Sequence, residues 1–148
     1  MLRIVDKEEY IDTLKWLNDD EIDTTFKPEL NERKNHVGFE FIKMEAEDGS
    51  NRLQAMASAE IYSTQKGNVA LINTLFTMPE ERGNHYGKIV LYHLMKHIED
   101  NYDNIYSFMA TTNNDGYKSF IENDFEGHAI GRSKKSFKVY KEINKGEC

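Results

Sequence analysis

At 148 residues, with 39% hydrophobic and 30% charged side chains, the chain can bury one real core but is too short for two ordinary domains and too apolar for a disordered segment. A formal net charge of −7 argues against a broad nucleic-acid surface, whose affinity comes largely from basic groups meeting phosphates, and suits a cationic partner. No apolar run approaches bilayer length, the start M-L-R-I-V-D lacks a signal-peptide core, and a single cysteine, Cys148, excludes internal disulfides, so a reducing cytoplasm without membrane contact is expected.

Leu2 to Val5 reads as a short strand. Asp6 then caps a helix, with Glu9 three residues on completing a capping-box-like start, and Tyr10, Ile11, Leu14 and Leu17 supply its apolar face. An acidic turn, Asn18 to Glu21, leads to a second helix near Pro28 to Lys34; the acidic group is a solvated loop or a collar attracting a cationic substrate. Val37 to Ala46 alternates Phe39, Phe41 and Ile42 against Glu40, Lys43 and Glu45, the pattern of a half-exposed strand. Asp48-Gly49-Ser50-Asn51 is a hairpin turn by composition. The partner strand, Leu53 to Ser63, carries Ala55, Ala57, Ser58 and Ala59, small enough for something to pack close.

After a turn at Gln65 to Asn68 comes the stretch around which the chain is organised. Val69 to Thr77 is almost entirely apolar or β-branched, as a buried strand should be, and Pro79 ends it because proline cannot donate to a ladder. Ile89, Val90, Leu91, Leu94, Met95 and Ile98 then recur at helical spacing. Beyond a loop at Asn101 to Asn104, Ile105 to Thr111 is another buried strand. Asn113 to Gly116 turns into a short helix, Tyr117 to Glu122, with Tyr117, Phe120 and Ile121 on one side. Ala129-Ile130, a Gly-Arg-Ser-Lys-Lys turn and a strand from Ser136 to Ile143 close the chain, and these last strands are free to pair two copies into a homodimer. The expected order is strand, two helices, three strands, helix, strand, helix, two strands: an α/β sheet of mixed direction, without the strict alternation of a doubly wound nucleotide fold.

Between the fourth strand and its helix lies Arg82-Gly83-Asn84-His85-Tyr86-Gly87-Lys88. A loop feeding a helix start presents unpaired N–H groups, aided by the helix dipole, to an anion. It is not a Walker loop, because Gly83 and Lys88 are misplaced and Ile89 has no hydroxyl for Mg²⁺; it is not a dinucleotide fingerprint, because only Gly83 and Gly87 are glycines.

The loop resembles the acyl-CoA pyrophosphate loop of the GNAT N-acetyltransferases, [QR]-x-x-G-x-[GA], matching at Arg82 and Gly87 with His85 in place of the middle glycine. The family's downstream N-x-x-A-x-x-x-Y-x-x-x-G-F is matched at Asn113 and Phe125, with Gly116, Phe120 and Asp124 at the other positions. The order of elements resembles that family across essentially the whole chain. The resemblance implies a single GNAT-like domain over 1–148, a mixed, mainly antiparallel sheet flanked by helices and splayed between its fourth and fifth strands. It also implies acetyl-CoA as co-substrate. The pantetheine arm would pair with Phe76, Thr77 and Met78, and the pyrophosphate would sit on Arg82, Gly83, Asn84, His85, Tyr86, Gly87 and Lys88. Asn113 would face the arm and Phe120 would lie near the sulfur.

The activity implied is N-acetylation of a primary amine on a small molecule or protein by direct transfer in a ternary complex. Such transfer needs a proton acceptor, a donor to the carbonyl oxygen and an acid for the departing thiolate. Glu60 is the candidate base, Asn73 its water-holding partner, and the Met78 N–H the carbonyl donor. Phe120 has no proton to give where the family usually has tyrosine, so Tyr117, three residues earlier on the same helical face, is the candidate acid. Because Phe120 and His85 depart at the positions most tied to chemistry, a non-catalytic acyl-CoA-binding or protein-interaction module stands as the alternative. No metal site is expected: His93 and His97 lie four apart, but no third ligand accompanies them.

Overall fold

A computed structural model of the chain describes residues 1–19, 32–130 and 136–143. Its elements are β1 (Leu2–Val5), α1 (Lys7–Asp19), β2 (His36–Glu45), β3 (Leu53–Thr64), β4 (Gly67–Thr77), a 3-10 turn (Pro79–Glu81), α2 (Tyr86–Asn101), β5 (Ile105–Asn113), α3 (Asn114–Ile121), β6 (Glu126–Ile130) and β7 (Ser136–Glu142). One seven-stranded sheet has the order β1-β2-β3-β4-β5-β7-β6. Among the described strands only β4 and β5 run parallel; the other neighbours are antiparallel. Among the described residues no helix is long and apolar enough to cross a membrane.

Two clusters of buried side chains pack on opposite faces of this sheet. On one face α2 lays Val90, Leu91, Leu94, Met95 and Ile98 over Ala55, Ala57 and Ala59 of β3, so the small residues do admit a close helix. On the other, Tyr10, Leu14 and Leu17 of α1 cover Phe41, Met56 and Phe76. Asp6 caps α1 as expected, its Oδ1 accepting the Glu9 N–H at 2.8 Å. The carboxylate of Glu9 does not return to close a capping box; it is held by Arg3 and by Lys43 Nζ at 3.2 Å.

That second layer corrects the reading of β2 as half-exposed. Phe41 to Glu45 are all buried, Lys43 and Glu45 included. The two charges share a face with Phe39 and Phe41 and are kept by ion pairs to Glu9 and Arg3. Ile89 and Ile121 lie outside their helices' buried faces, while Phe120 goes into the core against Phe125, centroids 5.0 Å apart. Lys34 and Asn35 form a turn, not the end of a helix. Glu32 and Arg33 are not helical either; residues 28–31 of the expected second helix, the acidic turn beyond Asp19, the 131–135 turn and Cys148 lie outside the described residues.

The feature that positions the site is where β4 and β5 part. Their parallel pairing runs from Asn68↔Ile105 to Ile72↔Ala110 and stops there. Beyond it β4 stays with β3 as far as Ala55↔Thr77, and β5 stays with β7 as far as Asn113↔Ser136, so a gap opens between them. At that point the β3–β4 register jumps from Ser58↔Thr74 to Ala59↔Ile72, leaving Asn73 as an extra residue on β4. Such a bulge bends its strand and re-aims the side chains after it. It turns Thr74 and Phe76 towards α1 and Leu75 towards α2.

Candidate active site

The gap is lined on one side by main chain. The Met78 N–H donates to the Gln54 carbonyl at 2.9 Å, so it is spent on β3 and is not the free donor expected from the sequence. Backbone groups alternate sides along a strand. Thr77 and Leu75 therefore turn their N–H groups towards the unpaired edge, where the Thr77 carbonyl already accepts from Arg82 Nε at 3.4 Å. Phe76 and Met78 point their side chains into the α1-side core.

At the mouth of the gap the chain enters α2 through a left-handed residue. His85 has φ 61° and ψ 21° at the N-cap, and Gly83, with φ 94°, has open space where a Cβ would stand. The first intrahelical bond is Ile89 N–H to the His85 carbonyl at 3.1 Å, which leaves the Tyr86, Gly87 and Lys88 amides without a helical acceptor. Three cationic or ionisable groups, Arg82, His85 and Lys88, belong to the same loop. This donor set fits a diphosphate. Asn84 braces the loop through Nδ2 to the Glu81 carbonyl at 3.0 Å, and Tyr86 packs on the core edge.

Gly87 has a second reason to be glycine. A Cβ there would stand 2.7 Å from Ser119 Oγ and 3.4 Å from Thr77 Oγ1, so α3 approaches α2 over this residue. Asn123 holds the approach, donating to the Lys88 carbonyl at 3.1 Å and the Ser119 carbonyl at 2.9 Å. Glu122, next to it, has Oε2 3.6 Å from His85 Nδ1 and 3.7 Å from Lys88 Nζ. Sequence reasoning missed both contacts; the only cue was a polar pair, Glu122-Asn123, closing a helix.

The candidate catalytic residues are not brought to one point. Glu60 is buried on the α1 face of β3, its Oε2 taking the Arg33 N–H and His36 Nδ1, each at 2.8 Å, with Arg33 Nε 3.4 Å from Oε1. Asn73 is exposed on the bulge. One register step beyond Asn73, at Ser58↔Thr74, lies a buried polar cluster that the sequence did not announce. Burial drives the Tyr10 hydroxyl pKa well above its ordinary value, against the pull of the Ser58 and Thr74 hydroxyls beside it. Neither Tyr10 Oη nor Ser58 Oγ completes a full hydrogen bond. Tyr117 is half-buried on α3, stacked on Phe137 at 4.2 Å. Phe120 is only 2% exposed and faces the core, not the gap. Asn113 ends β5, and its side chain lies outside the described residues.

The other histidines are also placed. His97 is not a solvated residue: its Nε2 contacts Glu40, which also accepts from the Tyr102 hydroxyl at 3.2 Å. The Glu40 charge and burial push the Tyr102 hydroxyl up to about 12, burial first. His93 lies edge-on to Tyr92 on the outer face of α2. Among the described residues no three His, Cys, Asp or Glu side chains converge as metal ligands would.

Residues 6–123 match the family model described as the acetyltransferase (GNAT) family. No curated protein matches the sequence. The fold is similar to that of Arabidopsis thaliana NAA60 in complex with acetyl-CoA, with TM-score 0.69, 14% identity, and 97% of this chain and 98% of that chain covered. A GNAT-family acetyltransferase from Streptococcus pneumoniae aligns with TM-score 0.68, 9% identity, and 97% and 99% coverage. A variant of the spermidine N-acetyltransferase SpeG from Vibrio cholerae aligns with TM-score 0.60, 14% identity, and 96% and 92% coverage. At these identities the superpositions speak for the fold alone, whereas the family model spans most of the sequence: the chain belongs to the acetyltransferase (GNAT) family.

Proposed function

We propose that this protein is an acetyl-CoA-dependent N-acetyltransferase, acting on a primary amine of a small molecule or protein by direct transfer, with residues 1–148 working as one domain in the cytoplasm. The observation that carries the reading is the parting of β4 from β5 beyond Ile72 and Ala110, with the unbonded amides of Tyr86 to Lys88 at its mouth. A thioester carrier lying there would set its diphosphate on the α2 start and its arm along the free edge of β4 at Leu75 and Thr77. NAA60 bound to acetyl-CoA, on the same fold, supports that choice of co-substrate.

In the transfer the amine nitrogen forms a bond to the acetyl carbon as the carbon–sulfur bond breaks, coenzyme A leaves as thiolate, and the amine sheds a proton. The Thr77 or Leu75 amide takes over the role first given to Met78. Glu60 works through His36: the carboxylate fixes Nδ1, and the outward Nε2, 4.0 Å from Glu32 Oε1, receives the proton. Asn73 holds the relaying water, and Tyr117 serves as acid to the thiolate. Copies pair through the β6 edge of the sheet. Phe120, sunk in the core without a proton to give, favours the second reading, an acyl-CoA-binding module without turnover.

Incubation with acetyl-CoA and a mixed panel of amines, followed by mass spectrometry and thiol release, separates the two. Acetylated product with thiol release above the hydrolysis background is expected. Tight coenzyme A binding without turnover assigns the chain to the module, and no binding removes both readings.

A further inference from the structure

A cavity of about 730 Å³ lies on the α1 face, walled by the α1 flank that carries Glu9, Asp12 and Trp16, by the start of β3, and by Met78 to Glu80. It is separate from the gap between β4 and β5. Met78 belongs to the α1-side core, its amide is bonded to β3, and the Glu9 flank of α1 turns towards Arg3 and Lys43 on β1 and β2.

The charges around the cavity do not cancel. Glu9 is shared by Arg3, with contacts at 2.5 and 3.0 Å, and by Lys43. Lys43 also lies 3.9 Å from Glu45, and Arg52 is paired with Glu81. Both cations in the wall are thus committed. Two carboxylates, Asp12 and Glu80, have no ion-pair partner among the described residues. Trp16, 48% exposed, lines the same cavity, and Leu53, Met78 and Pro79 supply apolar wall. An aromatic face, apolar surface and two uncommitted carboxylates around one concavity select for a cation with a hydrocarbon body, by ion pairing and by attraction to the ring.

We propose that this cavity is a binding site for a primary alkylammonium ion, its charge at Asp12 and Glu80 and its chain against Trp16. The site does not rest on acyl transfer and needs no coenzyme. Trp16 is the chain's one tryptophan, so its fluorescence reports this cavity alone. The test titrates the protein, without acetyl-CoA, with n-butylammonium, and with butan-1-ol and butyrate as neutral and anionic controls. A saturable change is expected with the ammonium only, weakening as salt is raised. Asp12→Asn and Glu80→Gln should each weaken it about fivefold, the scale of one exposed ion pair, and together abolish it. Both positions are exposed, and circular dichroism checks that the variants remain folded. No saturable response, an equal response to butan-1-ol, or unchanged binding in the double variant overturns the proposal. None of these outcomes touches the acetyl-CoA reading, which fails separately if coenzyme A does not bind.

Discussion

His85 concentrates the residue-scale argument. It takes a left-handed conformation at the start of α2, which costs a residue with a Cβ about 1–2 kcal/mol and glycine almost nothing. Its ring is 62% exposed, and the contact to Glu122 at 3.6 Å is worth little in water. The sequence marked this position as the one where the loop departs from the glycine pattern, and the backbone agrees that glycine would fit. His85→Gly is therefore expected to bind coenzyme A more tightly, by roughly fivefold if about 1 kcal/mol of loop strain is relieved. Calorimetric titration of parent and variant checks this. Weaker binding by the variant would show that the imidazole itself holds the phosphate, and equal absence of binding would remove the ligand from the loop.

Among the elements, the junction of α2 and α3 decides whether the loop keeps its shape. Gly87 sits where a methyl group would meet Ser119 Oγ at 2.7 Å, closer than carbon and oxygen tolerate, and the Asn123 hydrogen bonds resist any retreat of α3. Gly87→Ala should cost about 1–3 kcal/mol in urea unfolding, the usual price of overpacking, and should weaken coenzyme A binding as well. Ser119→Ala removes the clashing atom, so the double variant should recover most of both losses. Additive losses would mean that the glycine is needed for its backbone alone. The boundaries of these elements were legible because local chemistry sets them: Pro79 stops β4, Asp6 caps α1, and the 3.6-residue period marks the buried face of α2. What could not be read depends on contacts distant in sequence. His36 and Arg33 reach Glu60 across β2 and β3, and the bulge at Asn73 carries no local signal. Lys43 and Glu45 looked solvated because the sequence of one strand cannot reveal that α1 covers the face they share with Phe39 and Phe41.

At the scale of the whole molecule, a neutral network of two cations and two carboxylates ties the edge strand to the fold. Arg3 on β1 reaches Glu9 on α1 and Glu45 on β2, while Lys43 joins Glu9 from below. Arg3, by its hydrogen bonds first, holds the Glu9 carboxyl down to about 2 from an ordinary 4.5. A carboxyl held lower in the folded chain than in the unfolded one stabilises the fold above the unfolded value and loses that contribution as the pH falls through the folded one. The window for Glu9 thus runs from about 4.5 down to about 2. Its carboxylate is more than a third exposed, so solvent limits the effect to on the order of 1 kcal/mol. Glu9→Gln should melt below the parent at neutral pH, and the gap should close between those two values, because the parent then protonates the group that the variant has already lost. Thermal melts across that range read the difference directly. If the two curves stay parallel to the acid end, the Arg3–Glu9 link does not hold β1 to α1, and the packing of Tyr10, Leu14 and Leu17 carries that junction alone.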